Sequence, residues 1–141
     1  MRRIPIVIIA LVICMPFAGH AKGQPLDPDV MWKALVTGNL KYASGSIAYP
    51  ELKQEREKLL NSQMPPVTIL ACSDSRVPPE LVFDCGFGEL FVVRVAGNVL
   101  GRSILGTIQY AASHLHTQLF VVLGHEGCGA VKAALATKFE G

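Results

Sequence analysis

Three short apolar runs constrain this chain more than anything else in it: residues 67–72 (VTILAC), 90–95 (LFVVRV) and 119–123 (LFVVL). Each is rich in β-branched and aromatic residues and too short for an ordinary helix, so each predicts a strand. None alternates apolar with polar residues. A strand that is apolar on both sides is buried on both faces, the condition of a parallel sheet covered by helices. The segment between the second and third runs supplies such a helix: over 102–116, Ile104, Leu105, Ile108, Ala112 and Leu115 trace one helical face. Strand, helix and strand in that order predict an α/β domain with a short parallel sheet flanked by helices.

Two more helices precede the first strand. Over 30–42, Met31, Leu35 and Tyr42 fall on a helical spacing, with Asp27 or Asp29 placed to cap and Gly38 a local weakness. Residues 51–61 (ELKQEREKLLN) are charged good helix formers with Leu52, Leu59 and Leu60 as apolar contacts, which predicts a mostly solvated helix closed by Pro65-Pro66. With 141 residues, half of them hydrophobic and 17% charged, the chain is one folded domain at most.

The N-terminus is read separately. Met1-Arg2-Arg3 is basic, 4–15 is almost wholly apolar, and Gly19-His20-Ala21 offers small residues for cleavage after Ala21. About a dozen apolar residues fall short of the roughly 20 that a membrane span needs, so 1–21 reads as a signal peptide, 22–29 as a linker and 30–141 as the domain. This predicts a periplasmic or secreted protein with no stable membrane span after signal removal. Cleavage takes Arg2 and Arg3 and no acid, leaving 11 basic residues against 11 acidic ones. A near-neutral chain without a basic cluster gives no footprint for nucleic acid or an acidic membrane. Export also implies an oxidising compartment, in which Cys72, Cys85 and Cys128 remain after Cys14 is lost. Three cysteines cannot all pair within one chain.

Each strand run breaks into polar or glycine-rich sequence: CSDSR after the first, AGN after the second, GHEGCG after the third. In open parallel sheets, sites form at these carboxyl ends. His125 and Cys128, three apart at the turn into a helix running to about Thr137, suit a metal with mixed nitrogen and sulfur ligands. If the first and third strands are neighbours, Cys72 joins them. Two thiolates and one imidazole favour zinc, and three protein ligands leave a fourth position for water. Asp74, two residues beyond Cys72, either takes that position or accepts a hydrogen bond from its occupant, and Arg76 is its natural charge partner. A Cys72–Cys128 disulfide is the competing reading of the same thiols.

Taken together, Cys-x-Asp-x-Arg at 72–76 and His-x-x-Cys at 125–128 resemble the β-class carbonic anhydrases, zinc enzymes that interconvert carbon dioxide and bicarbonate. The resemblance extends to 38–42 (GNLKY), 72–80 (CSDSRVPPE), 91–98 (FVVRVAGN) and 124–130 (GHEGCGA), and so from about residue 30 to the end. It implies one zinc per chain on Cys72, His125 and Cys128, with the Asp74–Arg76 pair controlling the fourth site. With Asp74 held by Arg76, a zinc-held water loses a proton near neutral pH and attacks carbon dioxide; with Asp74 on the metal, the water has no place. It also implies a homodimer or higher homo-oligomer, with N-terminal helices wrapped around the partner. Within the same fold, the alternatives are a non-catalytic zinc-binding remnant and a hydrolase of another small heterocumulene such as carbonyl sulfide.

The other candidates read more plainly. Cys85 is expected to pack as a small apolar residue, His114 and His116 to lie on the surface, and Gly124-x-x-Gly127-x-Gly129 lacks the order of a phosphate loop. Arg94 and Asn98 either support the site or serve structure. Ile69 stands where bicarbonate-regulated bacterial members of the family resemble one another in having Trp, so that regulation is not expected. Relative to the family, the sequence is expected to lack the C-terminal helical region and a further strand, which would leave the flank of the third strand unpaired.

Overall fold

The computed structural model describes residues 26–47 and 52–137. The signal segment, residues 22–25 of the linker and the last four residues lie outside that range. No helix among the described residues is long and apolar enough to cross a membrane.

Helix α1 runs over Pro28–Ser44, beginning two residues earlier than its apolar spacing predicts. Local chemistry sets both ends. Asp27 is the N-cap, its carboxylate accepting from the Asp29 N–H at 2.9 Å, and Pro28 occupies the first turn, where no amide hydrogen is needed. At the other end Gly45 takes the left-handed conformation (φ 71°), and the amides of Gly45 and Ser46 return to the carbonyls of Tyr42 and Lys41. α1 buries Met31, Leu35 and Gly38. The charged helix α2, Leu52–Lys58, is solvated as its composition predicts, but it ends before Leu59, and Leu52 and Leu60 are exposed rather than in apolar contact.

Strands β1 (Val67–Ala71), β2 (Leu90–Arg94) and β3 (Leu119–Leu123) form one parallel sheet in the order β2-β1-β3. Central β1 is buried along its whole length, which its unbroken apolar character anticipates. Its register pairs Ala71 with Arg94 on one side and with Leu123 on the other, so the carboxyl ends of all three strands finish level. Val67, Ile69 and Ala71 share one face with Leu119, Val121 and Leu123, and this face packs on Met31 and Leu35 of α1 and on Val82 and Phe83. The last two belong to a short helix the sequence reading does not anticipate, α3 (Pro79–Val82) with its cap. The signal was present in Pro78-Pro79-Glu80, a proline at the first helical position followed by an acid.

The opposite face carries Thr68, whose hydroxyl bonds that of Thr117 at 2.8 Å, and Phe91, whose ring meets Tyr110 of helix α4 (Arg102–His114) at 6.1 Å. Two expectations are corrected here. α4 turns Ala111 inward rather than Ala112 and leaves Leu105 53% exposed, so its inner face is rotated from the expected one. Nor is the sheet covered on both faces throughout: Phe120 and Val122 of β3 are 46% and 59% exposed, because α4 packs against β2. A final helix, α5 (Gly129–Ala136), starts where the third strand-end loop finishes.

Gly38 proves to be no weakness. A Cβ there would lie 1.8 Å from the Phe83 carbonyl oxygen, so glycine is what lets α1 approach the end of α3 this closely. Flanking it, Asn39 donates to the Val82 carbonyl at 3.1 Å, and Lys41 pairs with Asp84 at 2.8 Å. These contacts seat α1 on the segment that follows the β1 loop.

Candidate metal centre

The site follows from the sheet order. Because β1 and β3 are adjacent and end level, the loop after β1 brings Cys72 to the residues before α5, His125 and Cys128. Their donor atoms all lie within 4.8 Å of one another, the only such group among the described residues. The two sulfurs are 3.8 Å apart and the cysteines are free. A disulfide needs about 2.05 Å. Two thiolates on one zinc, at about 2.3 Å each and the tetrahedral angle, sit about 3.8 Å apart.

His125 points the same way. Its Nδ1 lies 3.1 Å from the Glu126 carbonyl, a bond that needs the proton on Nδ1 and, in the neutral ring, leaves Nε2 with a lone pair. That Nε2 is buried and has no hydrogen-bond partner. An orphaned buried nitrogen beside two sulfurs is costly unless a cation completes it. The donor set, its spacing and this unpaired atom therefore fit a zinc ion.

The electrostatics favour the thiolate at Cys72. The Cys72 thiol is lowered to about 7, first by the Gly97 N–H, 3.3 Å from the sulfur, then by His125 and the Asp74 backbone. His125 is raised, chiefly by the nearby Cys72 sulfur. A bound cation reverses that second effect, because it occupies the lone pair a proton would take.

Asp74 and Arg76 stand beside this group. Arg76 grips the carboxylate with Nε at 2.8 Å and Nη2 at 2.7 Å, and its backbone N–H adds a third bond at 3.0 Å. These bonds, side chain first, hold Asp74 well below the usual carboxylate range, and Asp74 in turn raises Arg76. The carboxylate nevertheless reaches towards the triad, with Oδ2 3.9 Å from His125 Nε2. Cys72, Asp74 and Arg76 share one loop, but the strand expected to run through Cys72 ends at Ala71 and the chain turns at residues 75–76, with Asp74 turned to Arg76.

The end of β2 contributes more than the sequence reading settled. Asn98 donates to the Leu123 carbonyl at 2.9 Å, and Arg94 donates into the loop carrying Cys72. The Gly97 amide, missed in the sequence, touches sulfur because φ of +66° turns the chain there, and AGN was the only hint. Other candidates lie elsewhere. Cys85 is half-buried with its thiol on the Phe83 carbonyl, and burial pushes its pKa up; His114 stacks on Tyr110 in the open.

Comparison with known proteins identifies the family. Residues 67–141 match the sequence model of a family described as carbonic anhydrase. The chain is 45% identical over 116 residues to a carbonic anhydrase of Mycolicibacterium smegmatis, covering 82% of this chain and 56% of that protein. Carbonic anhydrase 2 of Mycobacterium tuberculosis matches to the same extent. The chain thus spans about half the length of the curated relatives it matches. Among solved structures, the Coccomyxa β-carbonic anhydrase in complex with acetazolamide superposes with a TM-score of 0.58 at 33% identity, over 74% of this chain and 47% of that one. A tetrameric β-carbonic anhydrase of Sordaria macrospora gives 0.58 at 27% identity, over 80% and 57%.

Proposed function

The chain belongs to the β-carbonic anhydrase family, and from that premise we propose that it binds one zinc ion through Cys72, His125 and Cys128 and hydrates carbon dioxide reversibly to bicarbonate. The observation that carries this reading is the buried, unpartnered Nε2 of His125 facing two free sulfurs 3.8 Å apart. Zinc, when bound, supplies a Lewis acid that brings the pKa of a water towards about 7.

The chain's own residues then have separate tasks. His125 keeps its proton on Nδ1 through the Glu126 carbonyl and so presents Nε2. Cys72 is kept ready as thiolate by the Gly97 N–H. Asp74, held ionised by Arg76, is an acceptor that orients a donor arriving beside His125, and Arg76 decides whether the carboxylate stays off the metal.

The proposal extends to assembly and place. Trp32, Val36 and Leu40 form an exposed stripe at helical spacing on α1, 49%, 41% and 65% exposed, and this stripe is a fit contact for a second copy of the chain. Trp32→Glu with Leu40→Glu is expected to shift the sedimenting species to a monomer; a wild-type chain already monomeric at tens of micromolar would sink the dimer. Export through residues 1–21 would put the enzyme in the periplasm or outside the cell.

The decisive test is a carbon dioxide hydration assay on the zinc-counted chain, with Asp74→Ala beside it. We expect one zinc per chain in both and a rate lower by about a hundredfold in the variant, the range for losing one positioned proton acceptor. Full zinc without hydration from neutral to alkaline pH would favour a binding protein over an enzyme.

A further inference from the structure

One charged side chain at the site has no task in that scheme. Arg94 ends β2, in register with Ala71, as the one charged residue of an otherwise apolar strand. The ladder between β1 and β2 stops here: the Val95 N–H donates to the Ala71 carbonyl at 3.0 Å, and β1 ends at Ala71. Past that point the Arg94 side chain continues what the backbone no longer does. Its Nε donates to the Cys72 carbonyl at 3.0 Å and its Nη2 to the Asp74 carbonyl at 2.6 Å.

One rigid, planar guanidinium thus grips both ends of a three-residue segment. At one end of the segment is a sulfur of the triad, at the other the carboxylate 3.9 Å from His125. Arg76 cannot do this work, since its side chain is 69% exposed and it holds the Asp74 carboxylate, not the chain that carries it. A valine at position 94 would satisfy the strand but leave the two carbonyls without these donors.

We propose that Arg94 is the positioning residue of this centre: by clasping the Cys72 and Asp74 carbonyls it fixes the spacing between a metal ligand and the gating carboxylate. The inference rests on the zinc reading above. The Arg94 hydrogen bonds go to backbone carbonyls and not to a donor atom of the triad, so its effect passes through the loop.

The test is metal binding by the full-length chain, with zinc affinity from chelator competition and the cobalt(II) visible bands as a record of ligand geometry. Arg94→Met, similar in length but without donors, is expected to weaken zinc by about ten- to a hundredfold, the usual cost of losing support behind a ligand, and to change the cobalt bands. The metal-free melting temperature should stay within a few degrees of wild type. Arg94→Lys, able to reach one carbonyl, should fall between. Equal affinity and identical bands in Arg94→Met would overturn the proposal, as would a loss of affinity accounted for by a less stable metal-free fold. If Arg94→Met fails to fold, Arg94→Lys decides alone: a severalfold loss of affinity supports the clasp and an unchanged one overturns it. Wild-type chain that takes up neither metal would instead sink the zinc reading itself.

Discussion

Cys72→Ser is expected to strip the zinc and with it all measurable hydration of carbon dioxide. The side chain keeps its shape and its buried place at 4% exposure, so the fold should persist. What changes is the donor: a serine hydroxyl does not ionise near neutral pH and is a poor ligand for a borderline-soft ion. Cysteine-containing zinc sites bind with about 10–16 kcal/mol, so one of three ligands accounts for roughly 4 kcal/mol, about a thousandfold in affinity. Metal content of the purified variant, with near-ultraviolet circular dichroism to verify packing, is the measurement. Cys85→Ser is the control, because that thiol lies outside the ligand group and bonds the Phe83 carbonyl. Retention of zinc by Cys72→Ser, or its loss from Cys85→Ser alone, would overturn the assignment.

The second large effect concerns the fold beneath the site. Within a helix, Gly→Ala ordinarily stabilises by up to about 1 kcal/mol, since alanine loses less backbone freedom on folding. At Gly38 the sign should reverse. The new Cβ would meet the Phe83 carbonyl oxygen at 1.8 Å and its carbon at 2.6 Å, and backbone cannot swing aside as a side chain can. α1 must lift, which loosens Met31 and Leu35 from the sheet face they cover and strains the Asn39 and Lys41 contacts. We expect Gly38→Ala to cost about 3 kcal/mol or more, the upper end for overpacking. Gly106 in α4 makes the matched comparison: nothing lies within 4 Å of its added Cβ, and Gly106→Ala should stabilise by about 0.5–1 kcal/mol. Denaturant unfolding of the two variants would read opposite signs. A neutral Gly38→Ala would mean that α1 does not sit against Phe83.

Legibility in the sequence follows the range of the forces involved. The strands could be placed because an unbroken apolar run has few other uses, and their observed bounds differ from the expected ones by a residue at most. Helix faces were harder. On α4 the alternatives Ala111 and Ala112 differ by 100° of rotation, and only the packing partner chooses between them. α3 has four residues, too few to carry a period. Gly38 reads as a weakness because propensity is local, while the reason for glycine there lies 45 residues away at Phe83.

For the site, the residue types alone determined the candidates. Thiols, imidazole, carboxylate and guanidinium at strand ends are the side chains able to hold a metal or steer its ligands, and the close spacing of Cys72, Asp74 and Arg76 put them on one loop. Tertiary structure decided the rest, because those decisions depend on distances between segments. Strand order joined Cys72 to His125 and Cys128; a carbonyl at Glu126 left His125 Nε2 unpaired; a bidentate bond turned Asp74 to Arg76; and the end of β2 brought Arg94 onto two carbonyls that no spacing in the sequence relates to it.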